Sequence, residues 1–162
     1  MNRHNERQKM KKQYLLTKDG ITELEKELKD LIDDRSPVAE RIKTAREFGD
    51  LSENAEYSSA RQEQERAESR IADIENILQN VEVIKKPKGD SKVQLGSCVK
   101  LKSESGTTKE FQVVGTVEAD PLNGKISDES PIGQALLGKK EGEDVEIITP
   151  AETAIYKVID IS

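Results

Sequence analysis

The segment AREFGDLSENAEY, residues 45–57, separates two long stretches of heptad-patterned sequence. Gly49 suits the C-terminal end of a helix, and Ser52 or Asp50 can cap the helix that follows. A short connection of this kind between two amphipathic helices predicts that the chain reverses direction here. The segment therefore predicts the tip of a helical hairpin.

Apolar residues on both sides of this segment recur in alternating steps of three and four. The first seam consists of Ile21, Leu24, Leu28, Leu31, Val38, Ile42 and Ala45, with Arg35 at the one position that is not apolar. The second seam consists of Tyr57, Ala60, Gln64, Ala67, Ile71, Ile74, Leu78 and Val81. Two such seams predict an antiparallel coiled-coil hairpin over residues 14–84, with arms of roughly 30 residues, about 45 Å each.

Three residues shape the first arm. Thr17 has a hydroxyl that can cap the first helical turn. Pro37 interrupts the seam and predicts a bend in the helix, and the residue before it, Ser36, is predicted to leave helical geometry. We expect a bend there, not an end.

The second half of the chain has a different pattern. Residues 85–92 contain Pro87 and Gly89 and are predicted to be a linker. Beyond them apolar residues recur at period two, and residues 154–161 are apolar on both faces like a central strand. A short helix is predicted over residues 132–137. The fold class is thus α+β, a coiled-coil hairpin followed by a small α+β domain over residues 93–162.

Composition limits the class of function. The chain has 162 residues, a formal net charge of −6 and a pI near 5.1, whereas proteins that grip nucleic acid by its phosphates are usually basic. Any contact with DNA or RNA should therefore be local or mediated by a partner. No apolar stretch approaches the roughly 20 residues that span a bilayer, so we expect a cytoplasmic protein without membrane contact.

The polar, basic leader, residues 1–13, is predicted to be disordered. It contains His4, the one histidine, and the one cysteine is Cys98. A single cysteine and a single histidine exclude a disulfide framework and an ordinary zinc site. Cys98 is best interpreted as a small residue in a strand.

The tip places two carboxylates, Asp50 and Glu53, within one helical turn. An acidic loop is most often a solvated cap, but acids at the end of a narrow rod could reach into a cavity. Carboxylates are ligands that Mg²⁺ prefers, yet two of them cannot complete its octahedral coordination. If they act on a metal, a partner must supply the remaining ligands.

The tip segment closely resembles the signature of the bacterial Gre transcript cleavage factors and is most similar to the GreA branch. The resemblance continues at 130–132, SPI, and 136–139, LLGK, which resemble part of the family's FKBP-like C-terminal domain. It covers residues 16–162, nearly the whole chain.

This resemblance implies a transcription elongation factor that binds bacterial RNA polymerase. The hairpin would enter the secondary channel, and the C-terminal domain would dock at its rim. Asp50 and Glu53 would help to hold a second Mg²⁺ and orient water, so that the polymerase cleaves the 3′ end of backtracked RNA. The factor itself would then be no enzyme, would carry no cofactor beyond the polymerase's Mg²⁺, and is expected to be a monomer.

The resemblance also assigns roles to other tip residues. Arg46 and Arg61 match basic residues that face the transcript, although ion pairs with Glu47 or Glu65 explain them equally well from sequence. The absence of a broad basic patch argues against the branch that removes long RNA fragments. The remaining residues of the tip are expected to give it its structure: Phe48, Gly49, Leu51, Ser52, Asn54 and Tyr57. We expect the rings of Phe48 and Tyr57 to pack within the tip.

Three alternatives stay open. An FKBP-like domain could be a prolyl isomerase, although Phe111 and Tyr156 alone provide little aromatic lining for its pocket. A Gre-like protein with an acidic tip could inhibit polymerase instead of stimulating cleavage. The third alternative is a structural coiled coil with no role in catalysis, which would not explain why two acids and Asn54 occur at a tight tip.

Overall fold

The computed structural model describes residues 13–50, 54–85, 92–148, 150 and 153–162. The predicted leader and linker lie mostly outside these ranges. The chain divides into two compact units: Lys18–Gln79, and the described part of Met1–Thr17 together with Asn80–Ser162. No helix in the described ranges has an apolar stretch that could cross a membrane.

The first unit is a helical hairpin. Its helices are α1 (Lys18–Asp33), α2 (Arg35–Glu47) and α3 (Ala55–Gln79), and both α1 and α2 pack against α3. The apolar positions of the predicted seams are buried or half-buried, and the buried ones are Leu24, Val38, Ile42, Ala45, Ala60, Ile71 and Ile74. The coiled-coil hairpin is therefore confirmed.

The end of the second seam differs from the prediction. Ile77 is buried, whereas the predicted Leu78 is only half-buried. Val81 lies in a strand rather than in the helix, because α3 ends at Gln79. A repeat of three and four residues cannot indicate where its own helix stops, so the pattern extended the helix too far.

The bend predicted at Pro37 falls three residues earlier, at Asp34, where α1 ends and α2 begins. This residue keeps right-handed helical angles, φ −74° and ψ −11°, and its N–H donates to the Asp30 carbonyl at 3.0 Å. Pro37 has no N–H for the carbonyl of Asp33, four residues earlier. The prediction that Ser36 leaves helical geometry is wrong, because the break falls earlier and places Ser36 and Pro37 in the first turn of α2, where proline is tolerated.

The second unit contains two sheets. Strands β1 (Tyr14–Leu16) and β2 (Val81–Val83) pair in parallel, although the sequence predicted these residues as ends of the hairpin. The larger sheet has the order β5-β4-β3-β7-β6. Its strands are β3 (Cys98–Ser103), β4 (Thr108–Val114), β5 (Lys125–Ser127), β6 (Asp144–Ile148) and β7 (Thr153–Ile161).

The hydrophobic core of the second unit lies on one face of the larger sheet. Val99, Leu101, Val145 and Val158 are fully buried there. The short helix α4 (Pro131–Leu136) covers this face with Leu136, also fully buried. Ser130 caps α4, since its hydroxyl accepts from the Gly133 N–H at 3.0 Å. The α+β fold class is confirmed.

Candidate functional site at the hairpin tip

The chain leaves α2 through Phe48 and Gly49. The Phe48 N–H donates to the Ala45 carbonyl and the Gly49 N–H to the Arg46 carbonyl, both at 3.4 Å. Gly49 has φ +100°, a conformation that side chains with a Cβ rarely adopt. This turn leads directly to Asp50, which is exposed.

Asn54 joins the two arms at the tip. Its Nδ2 donates to the Ala45 carbonyl at 2.8 Å, and its Oδ1 accepts from the Tyr57 N–H at 3.0 Å. Asn54 is therefore the N-cap of α3. The prediction that Ser52 or Asp50 caps this helix is wrong, because α3 begins later, at Ala55.

The two aromatic residues of the tip behave differently. Tyr57 is half-buried against the cluster of Val38, Ile42 and Ala60, and the Arg46 guanidinium lies 5.9 Å from its ring centroid. Phe48 is 81% exposed, so the expectation that its ring packs the tip is wrong. Tyr57 occupies a seam position opposite α2, whereas Phe48 follows the end of α2.

The predicted acids are only partly within the described residues. Asp50 is exposed at the tip, while Leu51, Ser52 and Glu53 lie outside the described residues. No group of three or more metal-binding side chains occurs in the parts of the chain that the structure describes. Asp50 supplies one carboxylate, which is too little for a stable Mg²⁺ site.

The two predicted RNA-contacting arginines have different surroundings. Arg61 donates to Gln64 Oε1 at 3.1 Å and lies 3.5 Å from Glu65, so it is engaged on its own helix. The described contact of Arg46 is a cation–π contact with the Tyr57 ring.

Sequence reasoning missed Arg41, which links the arms close to the tip. Its Nε and Nη2 donate to Glu56 Oε1 at 3.1 and 3.0 Å, and its Nη1 donates to Glu63 Oε2 at 2.6 Å. These contacts raise the pKa of Arg41, chiefly through the hydrogen bond to Glu63. Aligning the two seams in antiparallel order would have placed these residues opposite one another.

Two further arginines form bidentate ion pairs across the hairpin. Arg35 binds Glu68 through bonds of 2.8 and 2.6 Å, and Arg70 binds Glu27 through bonds of 2.7 and 2.8 Å. The hydrogen bond from Arg70 lowers the pKa of Glu27. Because paired forks of this kind have a fixed geometry, they help to set the register of the arms.

The second unit gives little support to a prolyl-isomerase pocket. Tyr156 lies inside the core, and its hydroxyl accepts a hydrogen bond from Lys109 at 3.2 Å. Phe111 packs against the same core. Both rings serve the packing of the sheet, so neither is free to line the aromatic pocket that an isomerase needs.

Two family models together match most of the chain. Residues 14–83 match the N-terminal domain of transcription elongation factors, and residues 87–162 match the C-terminal domain of the elongation factors GreA and GreB. The chain belongs to the GreA/GreB family of transcription elongation factors. The resemblance carried by the tip segment is therefore confirmed.

Individual members of the GreA/GreB family match over almost their whole length. The transcription elongation factor GreA of Clostridioides difficile is 46% identical, over 93% of this chain and 96% of the relative. The GreA of Thermoanaerobacter pseudethanolicus is 49% identical, over 94% and 99%. Among solved structures, GreA factor homolog 1 of Thermus thermophilus is 31% identical, over 93% and 99%, with a TM-score of 0.43.

Proposed function

We propose that this GreA/GreB family member binds RNA polymerase and stimulates the polymerase's own cleavage of the 3′ end of backtracked RNA. The observation that carries the proposal is the position of Asp50, exposed at the end of a two-armed hairpin in a chain of this family. The hairpin enters the secondary channel, and the second unit docks at the rim. Arrested complexes are thereby rescued.

Asp50 and Glu53 act inside the polymerase rather than in this chain alone. In two-metal phosphodiester hydrolysis, one ion activates the attacking oxygen and the other stabilises the leaving oxygen. The polymerase and the RNA supply most of the ligands, and the tip carboxylates help to hold the second Mg²⁺ and orient the attacking water. The factor is then not itself an enzyme and has no cofactor of its own.

Arg46 and Arg61 are proposed to contact the transcript. Arg46 is the better placed of the two, because its described contact is with a ring and not with a carboxylate. Arg61 must exchange its place beside Glu65 for an RNA contact. Surface pairs of this kind are worth about 0–1 kcal/mol, so the exchange costs little.

The docking role falls to the second unit, and the proposed partner is bacterial RNA polymerase with its nascent RNA. Transcription places the protein in the cytoplasm. We propose that one copy acts on one polymerase, since a single narrow hairpin fills the channel.

The test uses a backtracked elongation complex assembled with RNA labelled at its 5′ end. Addition of the full chain should shorten the transcript at a rate that saturates with protein concentration. Slower extension without shortening would indicate a Gre-like inhibitor instead. Faster isomerisation of a proline peptide, with no effect on the transcript, would indicate an isomerase, and either result would contradict the proposal.

A further inference from the structure

We propose that Asn54 is a positioning residue for transcript cleavage, because its one amide group closes both helix ends at the tip and thereby fixes the place of Asp50. This inference rests on the proposed function. In this proposal Asn54 acts through the backbone that carries Asp50, and not by contact with RNA or metal.

The geometry identifies both ends of the link. The Ala45 carbonyl can only accept and the Tyr57 N–H can only donate, so the Asn54 amide must present Nδ2 to the former and Oδ1 to the latter. The two bonds measure 2.8 and 3.0 Å. They join the last residues of α2 to the first turn of α3 through a single, half-buried side chain.

This double role explains why the residue is an asparagine. Each helix terminus leaves backbone groups without partners inside the helix: carbonyls at the end of α2 and N–H groups at the start of α3. Aspartate, serine and threonine can also act as N-caps, because their side-chain oxygens accept from the N–H groups at the start of a helix. Asparagine also brings an N–H donor on the same short side chain, which satisfies the Ala45 carbonyl.

The other bonds at the end of α2 are weaker. The Phe48 and Gly49 N–H groups donate at 3.4 Å, near the long limit for an N–H···O bond. The other described links between the arms near the tip are the contact of Arg46 with the Tyr57 ring, at 5.9 Å, and the ion pairs of Arg41. The ion pairs join exposed charged side chains, which are screened by solvent. Among the described contacts, the amide of Asn54 therefore contributes most to the position of Asp50.

Position matters for the proposed chemistry. A displacement of about 1 Å in a reacting arrangement can reduce the rate by about 100-fold, even when no reacting group is lost. Losing the bond to Ala45 should thus lower cleavage at saturating protein rather than the affinity for polymerase. It should also raise the Mg²⁺ concentration that gives half-maximal cleavage, because a displaced carboxylate holds the second ion less well.

The test separates the two halves of the amide. Asn54→Asp keeps an acceptor for the Tyr57 N–H and loses the donor to Ala45. Asn54→Ser is a neutral variant that keeps a cap acceptor, but its γ-oxygen is one bond shorter than the amide nitrogen. Ala55→Asp is the matched control, since it adds the same charge one residue later, at an exposed position, and leaves Asn54 intact.

Cleavage of the backtracked transcript is measured at saturating protein over a range of Mg²⁺ concentrations, with helicity followed by circular dichroism. We expect Asn54→Asp and Asn54→Ser to retain parental helicity, to cleave about 10- to 100-fold more slowly, and to require more Mg²⁺. Ala55→Asp should stay close to the parent. If Asn54→Asp loses helicity, Asn54→Ser decides the question.

Several outcomes would overturn the inference. Parental cleavage by both Asn54 variants would reduce Asn54 to a helix cap. An equal loss in Asn54→Asp and Ala55→Asp, with parental activity in Asn54→Ser, would assign the effect to charge. These results are distinct from failure of the proposed function, in which the parent protein itself shortens no transcript.

Discussion

Single side chains at the tip either hold the backbone or lie exposed. Gly49 provides the φ of +100° that turns the chain, and Tyr57 packs against the seam. Phe48 and Asp50 lie exposed beside them. A carboxylate and a ring are thus presented on a backbone fixed by their neighbours, which is the arrangement expected of a tip that acts inside a partner.

Gly115 lies where the neighbouring backbone leaves no room for a side chain. A Cβ added there would lie 2.1 Å from the carbonyl oxygen of Leu15, a backbone atom of β1 that cannot move without shifting the strand. We expect Gly115→Ala to lower the free energy of unfolding by about 1–3 kcal/mol, as overpacking usually does.

Chemical denaturation measures this effect. Gly138→Ala is the comparison, because Gly138 has no atoms within 4 Å of an added Cβ but has φ +79°. Backbone strain alone should cost it roughly 1–2 kcal/mol. Parental stability of Gly115→Ala would show that β1 does not pack as described.

The sequence indicated which residues form the tip but not which of them caps the helix and which ring packs. Asn, Asp and Ser are nearly equal as helix caps, so the pattern could not distinguish Asn54 from Asp50 or Ser52. Whether a ring packs depends on where the helix ends relative to the facing arm, and for that reason Phe48 was predicted wrongly while Tyr57 packs.

Among the elements, the hairpin combines a weak seam with ion pairs between its arms. The second seam contains Gln64 and two small residues, Ala60 and Ala67, so it buries less apolar surface than one filled with leucine. Arg35 and Arg70 add bidentate pairs across the arms. The ion pairs therefore help to set the register of the two arms, and the buried seam provides most of the stability of their packing.

The Glu27–Arg70 pair predicts a pH dependence. The pKa of Glu27 is lowered in the folded chain, so the pair stabilises the hairpin above the ordinary glutamate pKa of about 4.3 and loses this effect as pH falls through the lowered value. Both side chains are more than 40% exposed, with values of 44% and 41%, so screening limits the effect to about 1 kcal/mol or less.

Glu27→Gln should therefore be less stable than the parent at pH 7, and the difference should be smaller near pH 3. Unfolding free energies of both proteins at the two pH values check this. Glu25→Gln removes an exposed carboxylate from the same helix as the control. A deficit of Glu27→Gln that persists unchanged at pH 3 would show that packing, not ionisation, is responsible.

Periodicity predicted the helices well and the strands beside them poorly. The seam, the bend and the reversal are local features, so heptad spacing, Pro37 and Gly49 reveal them. The pairing of β1 with β2 joins Tyr14 to Val81, residues far apart in sequence, and each strand has only three residues. A pattern of period two needs more residues than that to be recognised.

For the whole molecule, we propose that this chain presents the acids and that the polymerase performs the catalysis. The described residues contain no complete metal site, and the proposed chemistry takes place in the polymerase. We expect the purified chain with Mg²⁺ to leave labelled RNA intact during an incubation in which the complete complex is cleaved. Cleavage by the chain alone that co-purifies with it through successive columns would contradict this separation.

The most direct test of the central claim is the rate of transcript cleavage in backtracked complexes at saturating concentrations of Asp50→Ala and Glu53→Ala. Neither residue belongs to the buried seam, so helicity and polymerase binding should stay near parental. Cleavage should fall by about 100-fold or more, since each 1.4 kcal/mol lost from the transition state is about tenfold in rate. Ser52→Ala and Glu47→Gln are the controls, and Asp50→Asn and Glu53→Gln remove the charge while keeping the shape. If the acid variants cleave like the parent, or lose activity only because they unfold or release polymerase, the tip carboxylates do not act on the metal and the central claim is wrong.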